Sequence, residues 1–266
     1  AARFLRRPQE VKLLEQHAGS KIRQRFYEIE HPARLQAVAR LLRHYRPAST
    51  LAFCNTRQQC RDLVELLRAQ GFAALALNGE MEQRERDQVL IQFANRSCSV
   101  LVATDVAARG LDIAQLEAVI NVDVTPDPEI HIHRIGRTGR GEEDGWALSL
   151  CSSADRRRVA AIAQVLGFEP EWHAIDELVE DDSRPAEPPM TTLLILGGRK
   201  DKIRPADVLG ALTGEAGFTR EQVGKITVTD QTTYVAVERA IAREAVRRLS
   251  AGRLKGRKVK VRALEA

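Results

Sequence analysis

Residues 133–140 read HRIGRTGR, with arginines at 134, 137 and 140 and glycines at 136 and 139. Arginine presents its N–H donors in a planar fork that matches the oxygens of a phosphate. If the segment is helical, Arg137 and Arg140 lie one turn apart and project to the same side, as paired donors to an anion. Three further stretches gather hydroxyl, guanidinium and glycine: FCNTR (53–57), QRER (83–86) and ATDVAARGLD (103–112). In the last of these, Thr104 offers a hydroxyl and Gly110 lets backbone approach a phosphate closely. Asp105 reads equally well as a cap for the turn behind it.

The elements that must hold these residues alternate strand and helix. KIRQRFYEIE (21–30) alternates as a strand, and PARLQAVARLLRHY (32–45) sets Leu35, Val38, Ala39, Leu41 and Leu42 on one helical face. Strands follow at 50–56, 73–79, 99–105, 118–124 and 145–151, with helices over 58–70, 83–94 and 154–166. This order predicts an α/β fold with a mostly parallel sheet, whose loops at the carboxyl ends of the strands carry function. The four stretches fall in such loops.

The segment DELVEDDSRPAEPPM (176–190) holds six acidic residues and three prolines without amphipathic period, and reads as an extended linker. Charge divides across it. Residues 1–190 carry 25 Lys/Arg against 28 Asp/Glu, whereas residues 191–266 carry 16 against 8. A positive excess confined to so short a segment is the electrostatic footprint of a small domain for an anionic partner, nucleic acid first among them. The predicted order there is β-α-β-β-α-β, a small α+β domain. No apolar run approaches the length of a membrane span, and AARFLRRPQE lacks the apolar stretch of a secretory signal. Cys54, Cys60, Cys98 and Cys151 show neither CxxC spacing nor disulfide density, so they read as buried reduced thiols of a cytosolic protein.

The four motifs, in this order on an alternating α/β pattern, resemble the second RecA-like domain of the DEAD-box RNA helicases over roughly residues 20–170. The resemblance implies that Arg137 and Arg140 are arginine fingers at the terminal phosphate of ATP. It implies that Asp112 binds the ATP ribose, and that His133 and Arg134 tie the motif to a partner domain. For His133 alone, a structurally satisfied histidine remains open. Thr56, Arg86, Thr104, Arg109 and Gly110 take RNA phosphates by the same resemblance, with Gln83 supporting Arg86; Asn55, Arg57 and Arg84 read as solvated or structural. The chain departs from the family pattern at Ala108, where many members have serine, and at NGE (78–80), so no function is carried onto Asn78.

Neither G-x-x-x-x-G-K-[ST] nor an acidic DEAD box occurs in the chain. The resemblance assigns both, and the magnesium that accompanies ATP, to a first RecA-like domain. The expectation is therefore a C-terminal portion in which residues 1–20 lead out of that domain and 21–175 form the second. Residues 176–190 then link it to 191–266.

The small domain is expected to be like an RNA-recognition motif, although only Tyr234 offers a ring on the third-strand segment; it reads equally as core or as a base platform. GGRKDKIRPADVLGALTGEAG (197–217) resembles the RNA-binding domain of the bacterial DbpA helicases. By implication it anchors the enzyme to a hairpin of 23S ribosomal RNA, in particles on the way to the large ribosomal subunit. Arg199, Lys200, Lys202 and Arg204 are the candidate RNA contacts, with Arg253, Lys255, Arg257 and Lys258 as a second basic cluster. A non-catalytic RNA-binding protein on a RecA-like scaffold is the alternative reading. Half of a DNA helicase fits less well with an RNA-type small domain.

Overall fold

The computed structural model describes residues 22–109, 116–139, 144–179 and 184–266. Seven strands, β1 (Ile22–Glu28), β2 (Thr50–Phe53), β3 (Ala74–Leu77), β4 (Val100–Ala103), β5 (Ala118–Asn121), β6 (Gly145–Cys151) and β7 (Trp172–Ala174), form one sheet. Its order is β3-β4-β2-β5-β6-β1-β7 and every neighbouring pair is parallel. Because side chains alternate along a strand, Leu51 and Phe53 enter one core and Ala52 and Cys54 the other.

Helices cover both faces, as a wholly parallel sheet requires. On one face α1 (Arg34–Tyr45) and α2 (Arg57–Ala69) bury Val38, Leu41, Leu63 and Leu67 against Val102, Ile120 and Leu148. On the other, α3 (Gln83–Ala94) buries Val89 and Phe93 against Leu75, Leu77 and Leu101. Removing such a side chain from water stabilises the fold by about 1.5–3 kcal/mol. Next to them lie α4 (Asp105–Ala108), α5 (Pro128–Ile135) and α6 (Arg156–Leu166). The expected strands and helices are present. The edge strand β7 was not foreseen from sequence; it is held by Phe26 N–H donating to the Glu171 carbonyl at 3.0 Å.

Beyond the acidic segment, β8 (Met190–Leu196), α7 (Pro205–Gly210), β9 (Val223–Val228), β10 (Thr232–Glu238), α8 (Ala242–Ala251) and β11 (Lys260–Ala263) follow the predicted order. The antiparallel sheet runs β11-β8-β10-β9. Leu193, Ile195, Val235 and Val237 pack from its one face onto Val208, Leu212, Ala245 and Leu249 of the helices. Among the described residues no helix is long and apolar enough to cross a membrane. All four cysteines are unpaired and buried.

Candidate nucleic-acid interface

Parallel strands put their carboxyl ends on one edge of the sheet, and that edge carries the candidate residues. At the end of β2, exposed Thr56 caps α2, its Oγ1 accepting the Gln59 N–H at 3.1 Å. The neighbouring Asn55 N–H donates to Asp123 Oδ2 at 3.2 Å, and Asp123 is itself paired with Arg34 at 2.6 Å. Arg34 also meets Asp155 at 2.5 Å, and all three side chains are buried. Arg34 and Asp123 thus position the Thr56 loop, although nothing in their local sequence marks them.

At the end of β4, Thr104 caps α4 weakly, with the Ala107 N–H at 3.4 Å from its hydroxyl. Asp105 is not the cap. Its carboxylate accepts from Arg134 Nε and Nη2, both at 2.7 Å. Arg134 donates further to Asn121 Oδ1 (3.2 Å) and the Asp123 carbonyl (2.7 Å), and its guanidinium lies 5.0 Å over the Phe53 ring. With 2 % exposure, Arg134 is spent inside its own domain. This corrects the expectation that Arg134 reaches a partner domain: it braces the cleft from below. Exposed His133, one residue earlier, stands at the surface instead.

Helix α5 ends at Ile135, so Arg137 sits in the following turn and not on the helical face considered from spacing. That turn is pinned. Leu116 N–H donates to the Arg137 carbonyl at 3.1 Å, and Thr138 Oγ1 donates to the Leu116 carbonyl. Gly139 takes φ +65°, and a Cβ on it would lie 2.5 Å from Ile22 Cγ1; a Cβ on Gly145 would lie 2.1 Å from Thr138 Oγ1. The two glycines therefore let the turn settle onto the starts of β1 and β6. Gly110, Asp112 and Arg140, like residues 1–21, fall outside the described residues.

Asp105, Arg109, Arg134, His133 and Arg137 line one cleft of about 450 Å³, together with Phe53, Ala108, Asp127, Glu129 and Ile130. Asp127 caps α5, accepting the Glu129 N–H at 2.9 Å, and adds negative charge to a rim read from sequence as cationic. Arg86, at the start of α3, donates through Nη2 to the Ala107 carbonyl at 2.5 Å, which ties it to the Thr104 loop. Gln83 does not support Arg86; it donates to Asp87 at 2.6 Å. Thr56, capping α2, and Arg86, in the first turn of α3, lie outside the lining of the cleft. Among the described residues no group of three or more His, Cys, Asp or Glu could hold a metal ion.

In the small domain Arg199, Lys202, Arg204 and Lys255 line a groove of about 600 Å³ with Ile203, Pro205 and Val228. Lys202 (φ +62°) and Lys255 (φ +51°) both adopt left-handed backbone there. Arg199 pairs with Asp230 at 2.9 Å and Lys255 with Asp207 at 3.4 Å. Lys200 is exposed beside the groove without lining it. The two basic clusters of the sequence divide differently in space: Lys255 joins the first, Arg253 lines a separate cleft with Arg247 and Arg248, and Arg257 meets Asp201 at 3.5 Å. Tyr234 is 2 % exposed, packed with Leu194 and Leu264, and is core instead of platform.

Two family models match the chain: the helicase conserved C-terminal domain over residues 33–142 and the DbpA RNA binding domain over residues 192–263. The chain is similar to the ATP-dependent RNA helicase DbpA of Escherichia coli, 42 % identical over 265 residues. That match takes in 100 % of this chain and 58 % of the relative, so the chain spans less than two thirds of the relative's length. The DbpA of Bacillus subtilis is 31 % identical over 81 % of this chain and 49 % of its own. Among solved structures, a DEAD box protein from Methanococcus jannaschii superposes with a TM-score of 0.54 at 33 % identity, covering 57 % of this chain and 42 % of that one.

Proposed function

From the premise that this chain belongs to the DEAD-box RNA helicases of the DbpA type and corresponds to their C-terminal part, we propose that it supplies half of an ATP site and an RNA clamp whose target its small domain selects. The cleft carrying Arg137 on a pinned turn is the observation that supports this most. A guanidinium there has its backbone fixed from both sides and faces an opening large enough for a polyphosphate. Such a donor set fits the terminal phosphate of ATP, with Arg137, and by family resemblance Arg140, opposite the charge that develops there. Asp112, by the same resemblance, takes the ribose, and magnesium belongs to the first RecA-like domain. ATP, when bound between the two domains, supplies the phosphoanhydride whose hydrolysis releases the clamp.

The residues of this chain do the holding. Thr56 presents a hydroxyl beyond its cap and Arg86 a half-buried guanidinium; with Thr104 and Arg109, and by family resemblance Gly110, they grip a single strand by its phosphates. Arg199, Lys200, Lys202 and Arg204, with Lys255, take a structured RNA, proposed as a hairpin of 23S ribosomal RNA met during assembly of the large subunit in the cytoplasm. The groove shared by Arg199, Lys202, Arg204 and Lys255, with Lys200 exposed beside it, supports one continuous phosphate track. Two measurements test this. Joined to a matching first RecA-like domain, the chain should hydrolyse ATP when RNA is added; no hydrolysis with any RNA would leave a non-catalytic RNA-binding protein. Titrated at matched salt, the chain should prefer the ribosomal hairpin over an unrelated one, and equal affinities would refute the target.

A further inference from the structure

One face of the small sheet packs on its own helices. The other carries Thr192, Leu194, Tyr234, Ala236 and Leu264, none more than 5 % exposed. Helix α3 of the larger domain meets part of it through one residue, while Leu196 on the same face stays 49 % exposed. Ile91 packs against Leu194, Tyr234 and Leu264. Beyond the helix end, Ser97 Oγ lies 2.7 Å and Asn95 Nδ2 3.1 Å from Thr192 Oγ1, and Met190 N–H donates to the Arg96 carbonyl at 3.4 Å. Arg96 turns the chain there with φ +55°. Thr192, Ser97 and Asn95 are all buried, so the two hydroxyls and the Asn95 Nδ2 group have exchanged water for one another across the two domains.

The first turn of the same helix holds the residue that grips the Thr104 loop. Arg86 donates to the Ala107 carbonyl at its first turn, and its last turns meet the small sheet. A helix carries a displacement along its axis because its backbone bonds are internal; nine residues separate Arg86 from Asn95, about 14 Å. We propose that Ser97, Asn95, Thr192 and Tyr234 are positioning residues: they seat the small domain on α3, and α3 acts as a strut that sets Arg86 and the Thr104 loop for RNA. RNA in the basic groove and RNA under Arg86 then meet one rigid surface, so the second contact forms at a fixed effective concentration. The strut rests on the reading of Arg86 as a phosphate contact; the seat does not.

The seat is tested by 15N relaxation on this chain. Residues of both domains should share one rotational correlation time, and Ser97→Arg, which places a charge at a buried seam, should split it in two while amide shifts far from the seam stay put. Two correlation times in the unmodified chain, or one in both Ser97→Arg and Thr192→Val, would overturn the seat. If Ser97→Arg fails to fold, Thr192→Val, which removes the shared hydroxyl and keeps the shape, carries the test. The strut is tested by binding at fixed salt to a hairpin alone and to the same hairpin with a single-stranded extension. Undocking should leave hairpin affinity within twofold and cut affinity for the extended RNA about tenfold. Arg86→Ala should do the same, and the double variant should lose no more than either single one. Loss in Arg86→Ala but not in the seam variants would sink the strut alone. Loss in the seam variants but not in Arg86→Ala would sink the phosphate reading of Arg86 and the strut with it.

Discussion

Single residues in this chain are separable by what their side chains touch. Arg134 and Arg137 stand three apart in sequence, yet the first is locked onto Asp105 and the second lines the open cleft. Arg137→Ala in a protein that includes the first RecA-like domain should therefore lower RNA-stimulated hydrolysis by about 10³-fold or more, the scale of an arginine finger. Hairpin binding by the small domain should be spared. Equal loss of both would defeat the assignment. His131 makes a different prediction. It is fully buried, stacked 6.4 Å from Phe26, with Nε2 3.1 Å from Gln24 Oε1. Burial, and then the Arg134 charge, push its pKa down from 6.5 to about 4. The unfolded chain thus binds a proton below pH 6.5 that the folded chain refuses. Stability present above pH 6.5 is lost as pH falls towards 4, by about 3 kcal/mol in all. Urea midpoints measured from pH 7 to 4 should show this slope, and His131→Phe should flatten it; an unchanged slope would contradict the buried neutral imidazole.

At the scale of elements, patterns that repeat within a dozen residues were legible and pairings across the chain were not. The apolar period of 83–94 gives α3 at the bounds observed, because its buried stripe is local. β7 is three residues long and exists only by pairing with Phe26–Glu28, so Trp172–Ala174 show no alternation to read. The candidate site divides in the same way. Its motifs were visible as residue types in loops, whereas the Arg34–Asp123–Asp155 triad joins residues 89 and 121 positions apart and looks like ordinary surface charge. Lys255 reaches the basic groove for a similarly non-local reason. The triad carries a prediction. Burial works against the Asp155 charge, but hydrogen bonds from Ser152 and the Arg34 guanidinium hold its pKa below the usual range. Arg34→Met leaves the buried Asp123 without its cation and Asp155 with Arg158 alone, and should cost about 3–5 kcal/mol by urea unfolding. It should also weaken single-strand binding, since Asp123 holds the Asn55–Thr56 loop. A loss below about 1 kcal/mol would mean that the triad is not an organising centre.

For the molecule as a whole, charge is partitioned: a near-neutral larger domain carries the cleft and a strongly basic small domain carries the groove. Phosphate binding releases condensed counterions, so the affinity of a hairpin for the groove should fall with salt in proportion to the phosphates neutralised. Four cations line it, which sets an upper slope of log K against log salt of about −3.6. Two of them begin in ion pairs, Arg199 with Asp230 and Lys255 with Asp207, and must exchange a carboxylate for a phosphate. Exposed pairs of this kind are worth about 0–1 kcal/mol, so the exchange takes place but releases less than a full counterion. Lys202→Ala should then flatten the slope by about one, whereas Arg199→Ala should flatten it by less and weaken binding less. Both should act alike on matched and unrelated hairpins if they touch only the backbone. A Lys202→Ala slope parallel to that of the unmodified chain would remove this groove from the RNA path, and a loss confined to one hairpin would make Lys202 a reader of bases.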